Sequence, residues 1–114
     1  MNNTVKPIDY HHAIILLDEL LSNDQKVEIS KCSEQEVGLK MHFTLGLWIR
    51  NNWINDISSP LGCHIQKNEL VMGYDSYSTA IIIIYHRHLN GKDLNIEEEI
   101  EKAYMEGGGW MNNN

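Results

Sequence analysis

Apolar residues dominate the segment from Val37 to Trp53, and they fit two different periodicities. A strict alternation, which is typical of a half-buried strand, runs through Val37, Leu39, Met41, Phe43, Leu45, Leu47 and Ile49. Spacings of three and four, which are typical of one helical face, connect Leu39, Phe43, Gly46, Ile49 and Trp53. The segment is longer than a usual strand, and the capping-box sequence Ser33-Glu34-Gln35-Glu36 precedes it. We therefore predict a helix that ends near Asn52.

Three further patterns predict helices before and after this central segment. An apolar helical stripe is formed by Ala13, Leu16, Leu17, Leu20 and Leu21. A second capping box, Ser22-Asn23-Asp24-Gln25, opens a short helix whose apolar anchors are Val27 and Ile29. Ser59-Pro60 fits the N-cap and first turn of another short helix that reaches about Gln66.

Four consecutive isoleucines, Ile81 to Ile84, favour a strand by propensity. The flanking residues favour a helix instead, because Asp75 or Ser76 can cap its start and Asn90-Gly91 suits a left-handed stop. A last helix follows, capped by Asn95 and ending before the glycines at 107–109. We predict an all-α fold of five or six helices, with a single domain at 1–106 and a flexible tail at 107–114.

The composition is that of one ordinary globular domain, with 42% hydrophobic and 22% charged residues in a chain of 114. The net charge of −7 argues against nucleic-acid binding, since phosphate recognition needs a positive surface. It suits a basic protein partner. No membrane helix or signal-peptide core is evident, so we expect a cytoplasmic protein that does not bind membranes. Cys32 and Cys63 lack metal-binding spacing, and reduced thiols are expected, with a disulfide as the alternative.

Polar residues inside the central segment need partners, because an unpaired buried polar group costs about 1–3 kcal/mol. They are His42, Arg50, Asn51 and Asn52. One hypothesis places His42, Arg50 and Asp75 in one cleft as base, anion binder and orienting acid. The favoured alternative is structural, with Arg50 pairing with Asp75 or capping a helix while His42 bonds internally. The sequence contains no nucleophile elbow, phosphate loop or chelating histidine pair, so neither a metal nor a cofactor is expected.

Other residue types indicate a binding module. Trp48, Trp53 and Arg50 belong to the types that are enriched at interface hot spots. Between Asp93 and Glu106 lie six acids and one base, which places most of the net charge in the last helix. The plainer interpretation is that both tryptophans are core residues and the acids a solvated face. A third possibility is an oligomerisation domain with an apolar patch around Trp53 or Trp110.

The motif His42-Phe43-x-x-Gly46-x-Trp48-Ile49-Arg50-Asn51-Asn52 resembles a family of small uncharacterised bacterial domains. Asp75-x-x-Ser78 and Leu89-Asn90-Gly91-Lys92 extend this resemblance to roughly residues 13–103. Asn55-Asp56 stands where members of that family usually have Leu-Trp, so the local contact is expected to differ. The chain is also similar in size and acidity to immunity proteins of bacterial contact-dependent and polymorphic toxin systems, which bind and block a cognate toxin domain.

These observations lead to one main expectation about function, which rests on the resemblance and on the charge. We expect an immunity protein that neutralises a basic, nuclease-type toxin domain and is not an enzyme. The expected partner-binding residues are Asp75, Glu97, Glu98, Glu99 and Glu101. The alternative is a small enzyme or ligand-binding domain that uses a pocket at His42, Arg50 and Asp75, with Asn51, Trp48 and Trp53 nearby.

Overall fold

Seven α-helices and no strand are present in residues 5–70 and 73–106, which a computed structural model describes. The α-helices are α1 (Tyr10–Leu20), α2 (Asn23–Lys31), α3 (Glu34–Lys40), α4 (Leu47–Ile49), α5 (Pro60–His64), α6 (Asp75–Leu89) and α7 (Ile96–Glu106). Three π-helical segments accompany them: His42–Gly46, Arg50–Ile54 and Ile65–Glu69. The all-α prediction is confirmed. The helix count exceeds the predicted five or six, because a π-helical segment divides the long central helix into α3 and α4.

Local signals account for most helix starts. Ser22 and Gln25 form the complete reciprocal capping box of α2, and the Ser59 hydroxyl accepts a bond from the Gly62 amide at the start of α5. The capping box predicted at Ser33 is wrong in detail, since its side chain makes no capping bond. The N-cap of α6 is Tyr74, whereas Asp75 or Ser76 was predicted.

Helix α6 lies at the centre of the molecule and contacts α1, α2, α3, α7 and the first two π-helical segments. Its isoleucines are helical although their propensity favours strand, because nearly the whole circumference of α6 is buried against these neighbours. Five of its large side chains are fully buried: Tyr77, Ile81, Ile82, Ile84 and Tyr85. Each large apolar side chain taken out of water contributes about 1.5–3 kcal/mol, so packing decides the conformation of this segment.

The central segment keeps one row of side chains on the core and an opposite row in solvent. Four residues of an α-helix exceed one turn by about 40°, so a row spaced by four would wind around the helix. The π turns contain more residues, with the Gly46 amide donating to the Met41 carbonyl and the Asn55 amide to the Arg50 carbonyl, both at 2.8 Å. These wider turns offset that rotation, so residues spaced by four stay on the same side of the helix. The buried row is Val37, Met41, Leu45, Ile49 and Trp53, and the exposed row is Leu39, Phe43 and Leu47.

Three further expectations meet the structure in different ways. Val27, expected as an apolar anchor of α2, is exposed, and only Ile29 of that helix is buried. Cys32 and Cys63 are free thiols. The tail predicted at 107–114 lies outside the described residues. None of the helices in the described ranges combines the length and the apolar character needed to cross a bilayer.

Candidate functional site

Arg50 connects the central segment to the start of α6. Its Nη1 donates to the Ser78 hydroxyl at 3.0 Å, and its Nη2 donates to the His42 carbonyl at 3.0 Å. Its Nε lies 3.5 Å from Oδ1 of Asp75. Because each guanidinium nitrogen has a protein partner, the side chain can be 89% buried without an unpaired charge. Arg50 therefore ties the π-helical segment Arg50–Ile54 to α6.

His42 and Asp75 complete the cluster that the sequence suggested. Nε2 of His42 lies 3.8 Å from Oδ2 of Asp75, and the Ser78 hydroxyl donates to the Asp75 carbonyl at 2.9 Å. The Asp75 side chain is 69% exposed, whereas that of His42 is 25% exposed. The structure thus brings together His42, Arg50 and Asp75, in the Arg50–Asp75 pairing that was the favoured structural alternative. What remains open to a partner is the Asp75 carboxylate.

Phe43 extends this cluster into an apolar surface that sequence reasoning did not single out. Its ring packs edge-on against the His42 ring at a centroid distance of 4.6 Å, and the residue is 79% exposed. Leu39 and Leu47 are exposed one turn before and after it. We call these three residues the Phe43 stripe. The signal was present in the alternating pattern, since alternate members of that pattern belong to this exposed row.

The tryptophans divide between core and surface. Trp53 is 1% exposed and packs edge-on against the half-buried Trp48, with ring centroids 5.1 Å apart. The Asn52 side chain donates to the Trp48 carbonyl at 2.9 Å, and Asn51 is exposed. Because Trp53 is buried, it cannot form the apolar surface patch suggested for an oligomerisation domain. Trp110, the other residue of that suggestion, lies outside the described residues.

The acids of α7 have two different roles in the structure. Glu97, Glu98 and Glu101 are exposed and form no ion pair with any described residue; we call them the α7 acidic face. Glu99 is only 5% exposed, and its Oε1 lies 2.6 Å from Nη2 of Arg87. Glu99 is thus placed in the packing between α6 and α7. A partner could reach the other three acids. Glu99, which was expected to bind the partner, is buried beneath them.

Arg87 holds three helices together through this contact. It also donates to both carboxylate oxygens of Glu34 on α3, at 2.9 and 3.1 Å, and to the Leu94 carbonyl at 2.8 Å. The bonds that Glu34 accepts from Arg87 lower the pKa of Glu34, and the bonds that Arg87 donates to Glu34 and Glu99 raise the pKa of Arg87. The sequence did not single out Arg87, because its partner Glu34 lies 53 residues away in the chain.

Most charged side chains that lack an ionic partner within the described residues are acidic. Among the described residues, only Lys31, Lys67 and Lys92 of the nine cationic side chains lack a carboxylate within 4.0 Å. Nine of the sixteen carboxylates lack a cationic or histidine partner at that distance. The unpaired acids include the whole α7 acidic face. The surface therefore attracts cations.

Comparison with known protein families gives one match. The family model described as a domain of unknown function (DUF6794) matches residues 6–89, from the approach to α1 through the end of α6. The match includes the Phe43 stripe and the cluster of His42, Arg50 and Asp75, which we call the Arg50 cluster. Helix α7 lies beyond the matched residues. No curated protein and no solved structure matches the chain.

Proposed function

We infer that this chain, which belongs to the family described as a domain of unknown function (DUF6794), is an immunity protein that binds and blocks a basic toxin domain. The observation that carries this proposal is the α7 acidic face, with three exposed carboxylates that have no cationic partner among the described residues. Glu97 and Glu101 stand one turn apart, and like charges at that spacing repel each other. A cationic partner would relieve this repulsion.

The chemistry of the proposed partner follows from this surface. A nuclease toxin binds phosphates with lysines and arginines, so its active surface is positive. An acidic inhibitor attracts that surface over long range and covers the same cations. In this proposal the α7 acidic face speeds the encounter, and the Asp75 carboxylate, held by Arg50, fixes the register. The complex would form in the cytoplasm, where a nuclease toxin acts on nucleic acid.

Co-expression with the products of the neighbouring reading frames, one at a time, tests this proposal. We expect a stoichiometric complex with one basic domain, whose toxicity is lost when the chain is present. Reversal of the α7 acidic face (Glu97→Lys, Glu98→Lys and Glu101→Lys) should lower the association rate by about 10-fold or more at low salt. The salt dependence of that rate should weaken as well.

A matched control separates this local effect from the change in total charge. Reversal of Glu19, Asp24 and Glu28, which are exposed on α1 and α2, changes the net charge by the same amount. We expect a much smaller effect on the association rate. Equal effects of the two triple variants would show that only net charge matters, and the absence of any protein complex would contradict the immunity function.

A second candidate function is a small-ligand site or enzyme centred on Asp75, and one observation favours it: His42, Arg50 and Asp75 do meet. Against it stands the burial of Arg50, whose side chain is only 11% exposed and whose three nitrogens all have protein partners. Under this function a ligand from a small-molecule screen should raise the Tm of the wild-type chain but not of Asp75→Asn. A protein complex without any such ligand would exclude it.

A further inference from the structure

The Phe43 stripe is an exposed apolar surface that is not part of the hydrophobic core. Leu39 and Phe43 are 80% and 79% exposed, and Leu47 is 44% exposed. Single exposed apolar residues are ordinary on protein surfaces, but contiguous apolar patches mark interaction sites. These three stand on successive turns of one helical path, and the π turns keep them in line. Phe43, with its ring supported edge-on by His42, has the character of an aromatic anchor.

The charged groups beside the stripe indicate the chemistry of what covers it. Lys40 is neutralised by Glu36 at 3.3 Å, and Arg50 is used internally. The Asp75 carboxylate, which faces the His42 ring that supports Phe43, remains largely exposed. The edge of the stripe therefore offers an acceptor to a cation, and the surplus of unpaired carboxylates makes a second, equally acidic copy of this chain an unfavourable occupant.

Helices α3 and α7 both pack beside Thr79 of α6. Gly38 of α3 lies against the Thr79 side chain, so close that a Cβ there would stand 2.7 Å from Cγ2 of Thr79. Thr79 also lines a small cleft with Lys102 and Ala103 of α7. Packed helices lie about 8–10 Å apart, so α3 and α7 are separated by only about one helix. Helix α3, which carries Leu39, and α7, which carries the acidic face, are therefore neighbours on α6.

We propose that the Phe43 stripe, with Asp75 at its edge, is the affinity-determining contact for the basic toxin domain, which inserts a cation at Asp75 and receives Phe43 in an apolar pocket. This inference rests on the proposed immunity function and assigns different tasks within it. The α7 acidic face sets the rate of encounter. The stripe sets the lifetime of the complex, because buried aromatic anchors dominate binding energy at the centre of an interface.

Kinetic binding measurements with the toxin domain that co-expresses with the wild-type chain test this division. Phe43→Ala should raise the dissociation rate by about 10-fold or more while leaving the association rate nearly unchanged. Asp75→Asn should also speed dissociation. The matched control is Ile57→Ala, which truncates an apolar residue that is 88% exposed in a loop away from the stripe. Thermal unfolding checks folding, and Phe43→Ala should keep the wild-type Tm because its ring is exposed.

The outcomes separate the two proposals. If the toxin domain binds Phe43→Ala and Ile57→Ala equally well, the stripe is not the contact, while the immunity function stands. If Phe43→Ala instead converts a wild-type dimer into a monomer, the stripe is covered by a second copy and the inference is overturned. If no neighbouring product binds the wild-type chain, the immunity function fails, and the inference fails with it.

Discussion

Arg87 is the side chain on which the arrangement of three helices most depends. It is 7% exposed and joins Glu34 of α3 to Glu99 of α7, and Glu99 is itself buried. Removing one partner of a buried ion pair leaves an uncompensated charge, which costs far more than the pair contributes. The sequence favoured Arg50 and Asp75, which a motif made conspicuous, and gave no hint of Arg87. Its bond to Glu34 spans 53 residues, and no local pattern encodes such a pairing.

Replacement of Arg87 by alanine should therefore lower the free energy of unfolding by about 3–5 kcal/mol, as measured by urea denaturation. Lys92→Ala is the control, because that lysine is exposed and has no carboxylate within 4.0 Å; we expect a change within about 0.5 kcal/mol. The double variant Arg87→Met with Glu99→Met should recover part of the loss, since it removes both buried charges. A loss below about 1 kcal/mol in Arg87→Ala would show that Glu99 is solvated in solution.

The arrangement of side chains in the central helical segment explains why its sequence pattern suggested both a strand and a helix. Its alternating apolar residues belong to two rows with a spacing of four, one facing α6 and one facing solvent. That the segment is helical was predictable from the capping sequence and from the length. The π turns were not, because they depend on the fit of the buried row to α6. Such turns are rare and often occur at functional sites, and two of them begin at His42 and at Arg50.

Gly62 of α5 marks a close approach between two elements. A Cβ at this position would stand 2.8 Å from the Ile54 carbonyl oxygen and even nearer to that of Trp53, at the end of a π-helical segment. Backbone atoms cannot move aside as a flexible side chain can. Gly62→Ala should therefore destabilise the protein by about 1–3 kcal/mol, although alanine is the better helix former.

A lowered Tm measures this effect, with Lys67→Ala as the control because Lys67 is exposed on the same helical path and has no ion pair within the described residues. If Gly62→Ala unfolds at the temperature of that control, α5 does not lie against the Trp53 carbonyl in solution. The sequence predicted a short helix at Ser59-Pro60 correctly. It could not show this contact, which forms only after the chain has folded back on itself.

At the level of the whole molecule, sequence and structure carry different kinds of information. The all-α class followed from caps and apolar periodicity, which are local. The partition of the acids did not: α7 has an amphipathic pattern, yet only the structure shows that Glu99 lies beneath the surface while Glu97, Glu98 and Glu101 lie on it.

Three buried tyrosines make the stability of the whole domain sensitive to alkaline pH. Burial is the main cause in each case: it raises the pKa of Tyr77 to about 12 and raises the pKa values of Tyr10 and Tyr85 as well. Nearby carboxylates act in the same direction, from Glu69 on Tyr10 and Tyr77 and from Asp18 on Tyr85. An unfolded tyrosine ionises near pH 10, so the folded state holds these protons more tightly than the unfolded state does.

The sign of the effect follows from that difference. The stabilisation is fully present below about pH 10 and is lost as the pH rises towards about 12, where Tyr77 begins to ionise in the folded state. Each such tyrosine lowers the free energy of unfolding by up to about 1.4 kcal/mol per pH unit in that window. Urea denaturation across the alkaline range measures the slope, and Tyr85→Phe, which cannot ionise, should reduce it by roughly one tyrosine's share. Tyrosinate absorbance that reaches the full amplitude of all five tyrosines near pH 10, without loss of helical circular dichroism, would contradict the prediction, because it would mean that these three hydroxyls reach solvent in the folded protein.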